Sequence, residues 1–303
     1  MTTRSSLNDA SMGQGSPSYR SLMTVDAHTR NRQFRSRMLR YSLMASMVLA
    51  IIPLVMIVTQ VFMNGYGTLS WEFLSQIENP PRREGGGYLN GIVGTLYMVG
   101  IATILAVPLG ILGAVYLVEY GKGILPKIIR FFTDVMTGVP SVFVGLFVFA
   151  ALVQTFRFGT IMGAIGLAIM MLPIVVRSSE EMLRLVPPDQ RAASLGLGAR
   201  KWQTITRIVL PYAAPGLTTG AMLAVARAAG ETAVLMLTAL GSLQLVTAFS
   251  GTAQSSITLL IYSGAKQPFD AGKERAWAGA LLLLAMVFLL TFIARWITAK
   301  ARR

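Results

Sequence analysis

Hydrophobic residues in this chain gather into runs of about twenty, the length a helix rising about 1.5 Å per residue needs to cross a hydrocarbon layer about 30 Å thick. The runs predict spans at Met38 to Met63, Gly91 to Val118, Ile128 to Thr155, Thr160 to Val176, Gly216 to Leu240 and Trp277 to Trp296. The last is bracketed by tryptophans, which favour headgroup regions. An all-α, polytopic transmembrane bundle of six helices follows. The third run is interrupted at Gly138-Val139-Pro140-Ser141, where proline lacks a backbone donor and crowds the preceding turn. A break at membrane depth is tolerated only against protein or a water-lined cavity. Gly138 and Pro140 are therefore candidate hinge residues of a gate; a kink that only improves packing fits them equally.

The polar stretches set the organisation. Residues 1–37 are rich in Ser, Thr, Gly and Arg and poor in large apolar residues, and are read as a disordered basic tail. Residues 38–300 form the transmembrane domain, with a polar segment at 177–211, and 301–303 are a short C-terminal end. The first run is too long for a signal-peptide core and lacks a small-residue cleavage site, so it is expected to be retained. Asn64 to Asn90, with Pro80-Pro81 and Gly85-Gly86-Gly87, suits an aqueous loop. Ile257 to Tyr262 is expected to pack at the membrane interface.

Composition agrees with a bilayer as solvent. The 303 residues are 53% hydrophobic, with a net charge of +14 and mean hydropathy of +0.59. The charge follows the positive-inside rule, so nucleic acid is not an expected partner, while membrane lipid is. Basic residues number seven up to Arg40, three between Lys122 and Arg130, six between Arg177 and Arg207, and four from Arg295 onward; the opposite loops carry six. Both termini are accordingly expected in the cytoplasm. There is no cysteine, and the single histidine, His28, lies in the tail. A disulfide framework, a thiolate metal site and a membrane Ser/His pair are excluded. Asp134 is the only aspartate within an expected span, so an aspartate dyad is excluded too. No nucleotide-binding motif is present: Glu84 to Gly87 lacks the following Lys-Ser or Lys-Thr of a P-loop and is expected to shape the external mouth.

Two features carry candidate chemistry. Arg227 and Glu231 fall inside the fifth expected span, four residues apart, which would put them on one helix face. Ionisable residues at membrane depth are costly and mark functional sites, and arginine offers a planar fork matched to oxyanions. Arg227, Glu231 and neighbouring Thr232 are thus candidates for an anion path, with Glu231 tempering the affinity; an ion pair serving only packing is the competing reading. Arg130 and Asp134, also four apart, are expected to pair structurally. The second feature is Glu180 to Pro215, in which two short helices joined at Gly198 would place Ala192, Ala193 and Ser194 on the first and Ile208, Leu210 and Pro211 on the second. Small side chains admit close approach by another protein. Basic amphipathic helices lying on the membrane are the alternative.

The spacing G-x9-I-x-L-P at Gly198, Ile208, Leu210 and Pro211 resembles the EAA loop of ABC importer permeases of the MetI-like kind, with Ala192 standing where the motif has Glu. Glu84 to Gly87, Tyr116 to Gly121, Ile129-Arg130-Phe131, Pro140-Ser141 with Gly145 to Val148, Pro173 to Arg177, Leu185-Val186-Pro187, Ala226-Arg227 with Gly230 to Ala233, and Ala276 to Gly279 further resemble PstA, the A-type permeases of phosphate-specific transport systems. The similarity covers about residues 38–300. It implies a permease subunit of an ATP-driven phosphate importer, paired with a PstC-type permease, a PstB-type ATPase dimer, a PstS-type phosphate-binding protein and a PhoU-type regulator. It also implies that the chain binds no cofactor, ATP and Mg being used by the ATPase, and that Ala192 to Ser194 and Gly198 to Pro211 dock on that ATPase. Permeases for phosphonate, sulfate or molybdate are the nearest rivals; a passive channel would not need the docking segment.

Overall fold

The computed structural model describes residues 27–300, which divide into two units, up to Thr59 and from Gln60 onward. The first helix, α1 (Ala27–Gly65), begins ten residues before the tail was expected to end. Its early turns contain Ala, Gln and Arg, good helix formers, and they extend a long apolar helix that has already met the cost of nucleation. The expected disorder of 27–37 is thereby corrected, while residues 1–26 and 301–303 lie outside the described residues.

Five helices are long and apolar enough to cross a membrane: Arg35–Gly65, Leu89–Tyr120, Thr160–Arg184, Lys201–Ala229 and Asp270–Trp296. A bent pair, counted as one span, brings the number to six. These are α1, α3 (Leu89–Val115, extended by a π-turn at Tyr116–Tyr120), α7 (Thr160–Arg184), α9 (Lys201–Thr204) running through a π-turn at Ile205–Val209 into α10 (Leu210–Ala229), and α13 (Asp270–Lys300). The pair is α4 (Leu125–Gly138) and α5 (Ser141–Val148), the latter continuing through α6 (Gln154–Phe156). It bends by 107°. The interruption at Gly138 and Pro140 is thus a turn in direction and not a kink in a continuous span.

Along the core, α3 lies against α7, and α10 packs on α7 and α13. Met98, Ala102 and Ala106 of α3, Leu167, Met171 and Val175 of α7, and Ala224 and Ala228 of α10 form the main buried cluster. Small residues allow the close approach that membrane helices use in place of a hydrophobic driving force.

Two expected boundaries are corrected by polar contacts. The fourth span continues eight residues past Val176 because its charges find partners. Glu180, almost fully buried, accepts from Arg130 at 2.7 Å and Arg184 at 2.6 Å, and Arg177 bonds Glu181 at 3.1 Å and Asp134 at 3.3 Å. Arg130 and Asp134 therefore do not pair with each other; each reaches from α4 to α7. The second concerns the Ile257 to Tyr262 segment, which belongs to a helix running on to Ala265, α12 (Ile257–Ala265), with Ile257 to Leu260 buried and the helix packed on α3 and α13. Ser256 caps it by accepting from the Leu259 N–H, and Thr95 of α3 accepts from the Ile257 N–H at 2.9 Å.

At the end of the bundle where α13 begins, α2 (Trp71–Ser75) and the loop to Tyr88 form a cap. Phe73 and Tyr88 are buried with ring centroids 5.0 Å apart, and buried Arg275 donates to the carbonyls of Arg83 at 2.7 Å and Gly85 at 3.0 Å. Within this cap burial pushes the Glu78 carboxyl up to about 7 from 4.5, against the opposing pull of Arg275. A carboxyl raised on folding stabilises the fold below its unfolded value, and that contribution is lost as pH rises through 4.5 to about 7. A spin label at position 84 is expected to be more mobile at pH 8 than at pH 5, and Glu78→Gln to abolish the difference.

Candidate functional site

The helix carrying Arg227 ends two residues later. Gly230 closes α10 by donating to the Arg227 carbonyl at 3.2 Å, Glu231 donates to Ala228 O at 3.1 Å, and a separate short helix, α11 (Ala233–Thr238), follows. Glu231 is consequently not one helical turn above Arg227. The expectation that the two neutralise each other on a common helix face is corrected: neither forms an ion pair among the described residues. They still converge, because Arg227, Ala228 and Glu231 line one small cleft with Met170, Met171 and Ile174 of α7. Arg227 is exposed on the surface of this chain, and Glu231 and Thr232 are half-buried. The break is held from a distance, by Thr258 Oγ1 donating to the Glu231 carbonyl at 3.0 Å.

Depth follows from α7. Met170 and Ile174 lie ten and fourteen residues beyond Thr160, where the helix starts. At 1.5 Å per residue that is about 15–21 Å along a helix of 25 residues, in its middle turns. An unpaired guanidinium at that depth is stable only beside water, a ligand or another subunit. The hinge candidates connect to the same region: α5, which starts after Pro140, packs on α11, with Gly145 against the backbone of Ala233 and Val234. Around Gly138 there is open space, so the turn there is not forced by crowding.

The polar segment resolves into one helix, α8 (Pro188–Gly196), followed by the start of the fifth span itself. Pro188 opens α8 with the fixed φ suited to a first turn. Gly198 turns the chain at φ +82°, a left-handed conformation that disfavours any other residue, and Ala199 donates back to the Ser194 carbonyl at 3.2 Å. The two arms are pinned by a 2.9 Å hydrogen bond between the buried hydroxyls of Ser194 and Thr204. The seven residues expected to dock on a partner therefore divide. Ala192, Ala193, Gly198 and Pro211 are exposed, together with Leu197 at 90%, whereas Ser194 is buried and Ile208 and Leu210 are half-buried. The outward face is small and apolar; the inward residues hold its shape.

Sequence reasoning passed over the ionic links. Glu119 bonds Arg191 at 3.0 Å, and Glu180 gathers two arginines. The signal available was charge within or beside apolar runs, but nothing local tells which distant partner each residue meets. Among the described residues no group of three or more His, Cys, Asp or Glu is placed to hold a metal ion.

Comparison with known proteins places this arrangement. Residues 106–303 match the family described as binding-protein-dependent transport system inner membrane component. The chain is 40% identical over 284 residues to the phosphate transport system permease protein PstA 1 of Mycobacterium tuberculosis, covering 91% of this chain and 92% of that one. It is 36% identical over 273 residues to the phosphate transport system permease protein PstA of Yersinia pestis, covering 89% and 92%. In fold it is similar to a chain in a crystal structure of a bacterial alginate ABC transporter in complex with an alginate pentasaccharide-bound periplasmic protein, with TM-score 0.65 at 15% identity over 89% of this chain and 97% of that one. The two sequence relatives are phosphate transport system permeases. The chain is a multi-pass membrane protein that belongs to the binding-protein-dependent transport system inner membrane components and, among them, to the PstA permeases.

Proposed function

We propose that this chain forms half of the translocation path of an ATP-driven importer of inorganic phosphate, with Arg227 lining the path. The observation carrying this reading is the exposed guanidinium beside the middle turns of α7, without an ion pair among the described residues and set beside a broken span. Its planar fork suits a phosphate oxyanion, and discontinuous helices at the midplane are a recurrent way of building transport sites. Glu231 in the same cleft moderates the attraction so that the anion leaves, and Thr232 offers a hydroxyl beside it. The 107° turn at Gly138 and Pro140 is the gate hinge, its movement reaching the site through α5 and α11.

Energy comes from a separate ATPase, which binds ATP and Mg and docks on the exposed small residues of α8; this chain binds no cofactor. A PstC-type permease completes the path, a PstB-type dimer hydrolyses ATP, a PstS-type protein delivers phosphate, and a PhoU-type regulator reads the state of the complex. The distribution of basic residues supports cytoplasmic termini, with the α8 hairpin on the same side. ATP closure of the ATPases opens the bundle outward, and hydrolysis resets it inward.

The test is uptake of labelled phosphate by the complex reconstituted in proteoliposomes. Accumulation is expected only with ATP and the binding protein, and unlabelled phosphate, but not equimolar sulfate, is expected to compete. Equal competition by sulfate would reassign the substrate, and uptake at full rate without nucleotide would overturn the mechanism.

A further inference from the structure

The exposed face of α8 is small, yet the helix does not hang from the bundle by its two chain connections alone. One guanidinium ties it to two other elements. Arg191 donates from Nε to Glu119 Oε1 at 3.0 Å, from Nη1 to the Val186 carbonyl at 2.5 Å and from Nη2 to the Leu183 carbonyl at 2.8 Å. Glu119 belongs to the π-turn that ends α3, and Leu183 and Val186 close the end of α7. The pair is well shielded, with the Glu119 side chain 10% exposed and that of Arg191 22%. Lys201, at the start of α9, also grips this turn: its ammonium donates to the Glu119 carbonyl and sits 4.5 Å from the centre of the Tyr120 ring.

We propose that Arg191 is the positioning residue that transmits movement of α8 into α3 and α7, making the Arg191–Glu119 contact the link between the ATPase-facing hairpin and the Arg227 cleft. The inference rests on the importer reading and deepens it. Leu183 and Val186 sit, fully buried, in one cluster with Ala114 of α3 and with Val209, Ala213 and Leu217 at the start of the fifth span. Three helices thus converge where Arg191 binds. From there α7 continues as one helix to Ile174 and, past Pro173, to Met170, both of which line the cleft with Arg227. A displacement of α8 has a rigid path to the cleft through contacts that are short and directional. Arginine suits the task because its planar fork holds three acceptors at once, whereas lysine supplies charge without that geometry.

The test separates coupling from folding and from catalysis by the partner. The complete complex carrying Arg191→Gln, Arg191→Lys or Glu119→Gln is reconstituted in proteoliposomes, and ATP hydrolysis and labelled phosphate uptake are measured on the same samples. Both glutamine variants are expected to hydrolyse ATP at near wild-type rates while phosphate moved per ATP falls about five-fold or more, with Arg191→Lys intermediate. Glu119→Gln preserves volume while removing the negative charge that pairs with Arg191, so it decides the matter even where Arg191→Gln does not accumulate. An unchanged ratio in Glu119→Gln, or hydrolysis and uptake falling together with protein level in both glutamine variants, overturns the proposal while leaving the importer reading intact. A wild-type complex that hydrolyses ATP without moving phosphate overturns the importer reading, and this inference with it.

Discussion

Arg227→Gln is expected to lower ATP-driven phosphate uptake at least about ten-fold, since a charge-assisted contact to a phosphate oxygen contributes about 1.5–3 kcal/mol. The protein should still reach the membrane at wild-type level. The reason is structural: the Arg227 guanidinium is exposed and forms no ion pair among the described residues, so its loss strands no buried charge. A purely structural ion pair with Glu231 would behave oppositely, with Arg227→Gln impairing accumulation and Glu231→Gln restoring it. Uptake in proteoliposomes, normalised to permease content by immunoblot, distinguishes the two. Normal uptake by Arg227→Gln would remove Arg227 from the path.

The largest effect on stability is expected at Gly94. A Cβ there would lie 1.9 Å from the backbone oxygen of Ser255, an atom that cannot rotate away. Gly94→Ala must therefore push apart α3 and the segment leading into α12, at a cost of about 1–3 kcal/mol for overpacking. Gly100, on the same helix, has open space around the corresponding position, and Gly100→Ala is expected to gain up to about 1 kcal/mol from helix propensity. Thermal unfolding in detergent, followed by tryptophan fluorescence, should move in opposite directions for the two substitutions. A Gly94→Ala protein as stable as wild type would show that this crossing can relax.

Helix ends illustrate where reading the chain stops being sufficient. Gly216 to Leu240 is apolar enough that one glutamate does not interrupt it, and its hydropathy conceals the end of α10 at Ala229. That end depends on Gly230 folding back onto Arg227 and on Thr258, remote in sequence, holding the Glu231 carbonyl. The reverse happens after Val176, where a charged stretch reads as loop yet remains helical because Glu180 and Arg177 are matched by Arg130 and Asp134 on another helix. The break at Pro140 was legible, since a missing donor is local chemistry; its 107° angle was not, since angle depends on what α4 and α5 pack against.

The sequence by itself determined that the chain carries about six runs long and apolar enough to cross a membrane, that it has no cysteine and a single histidine, and that a cation and a small-residue hairpin are its notable features. Each of these depends on residue type and run length against a bilayer of known thickness, quantities that need no knowledge of neighbours. Only the tertiary structure decided which charges pair, which remain open, and that Arg191 fastens the hairpin to α3 and α7. Electrostatic partnership is set by distance in space, and residues as far apart as Glu119 and Arg191 acquire that distance only when the helices between them have packed.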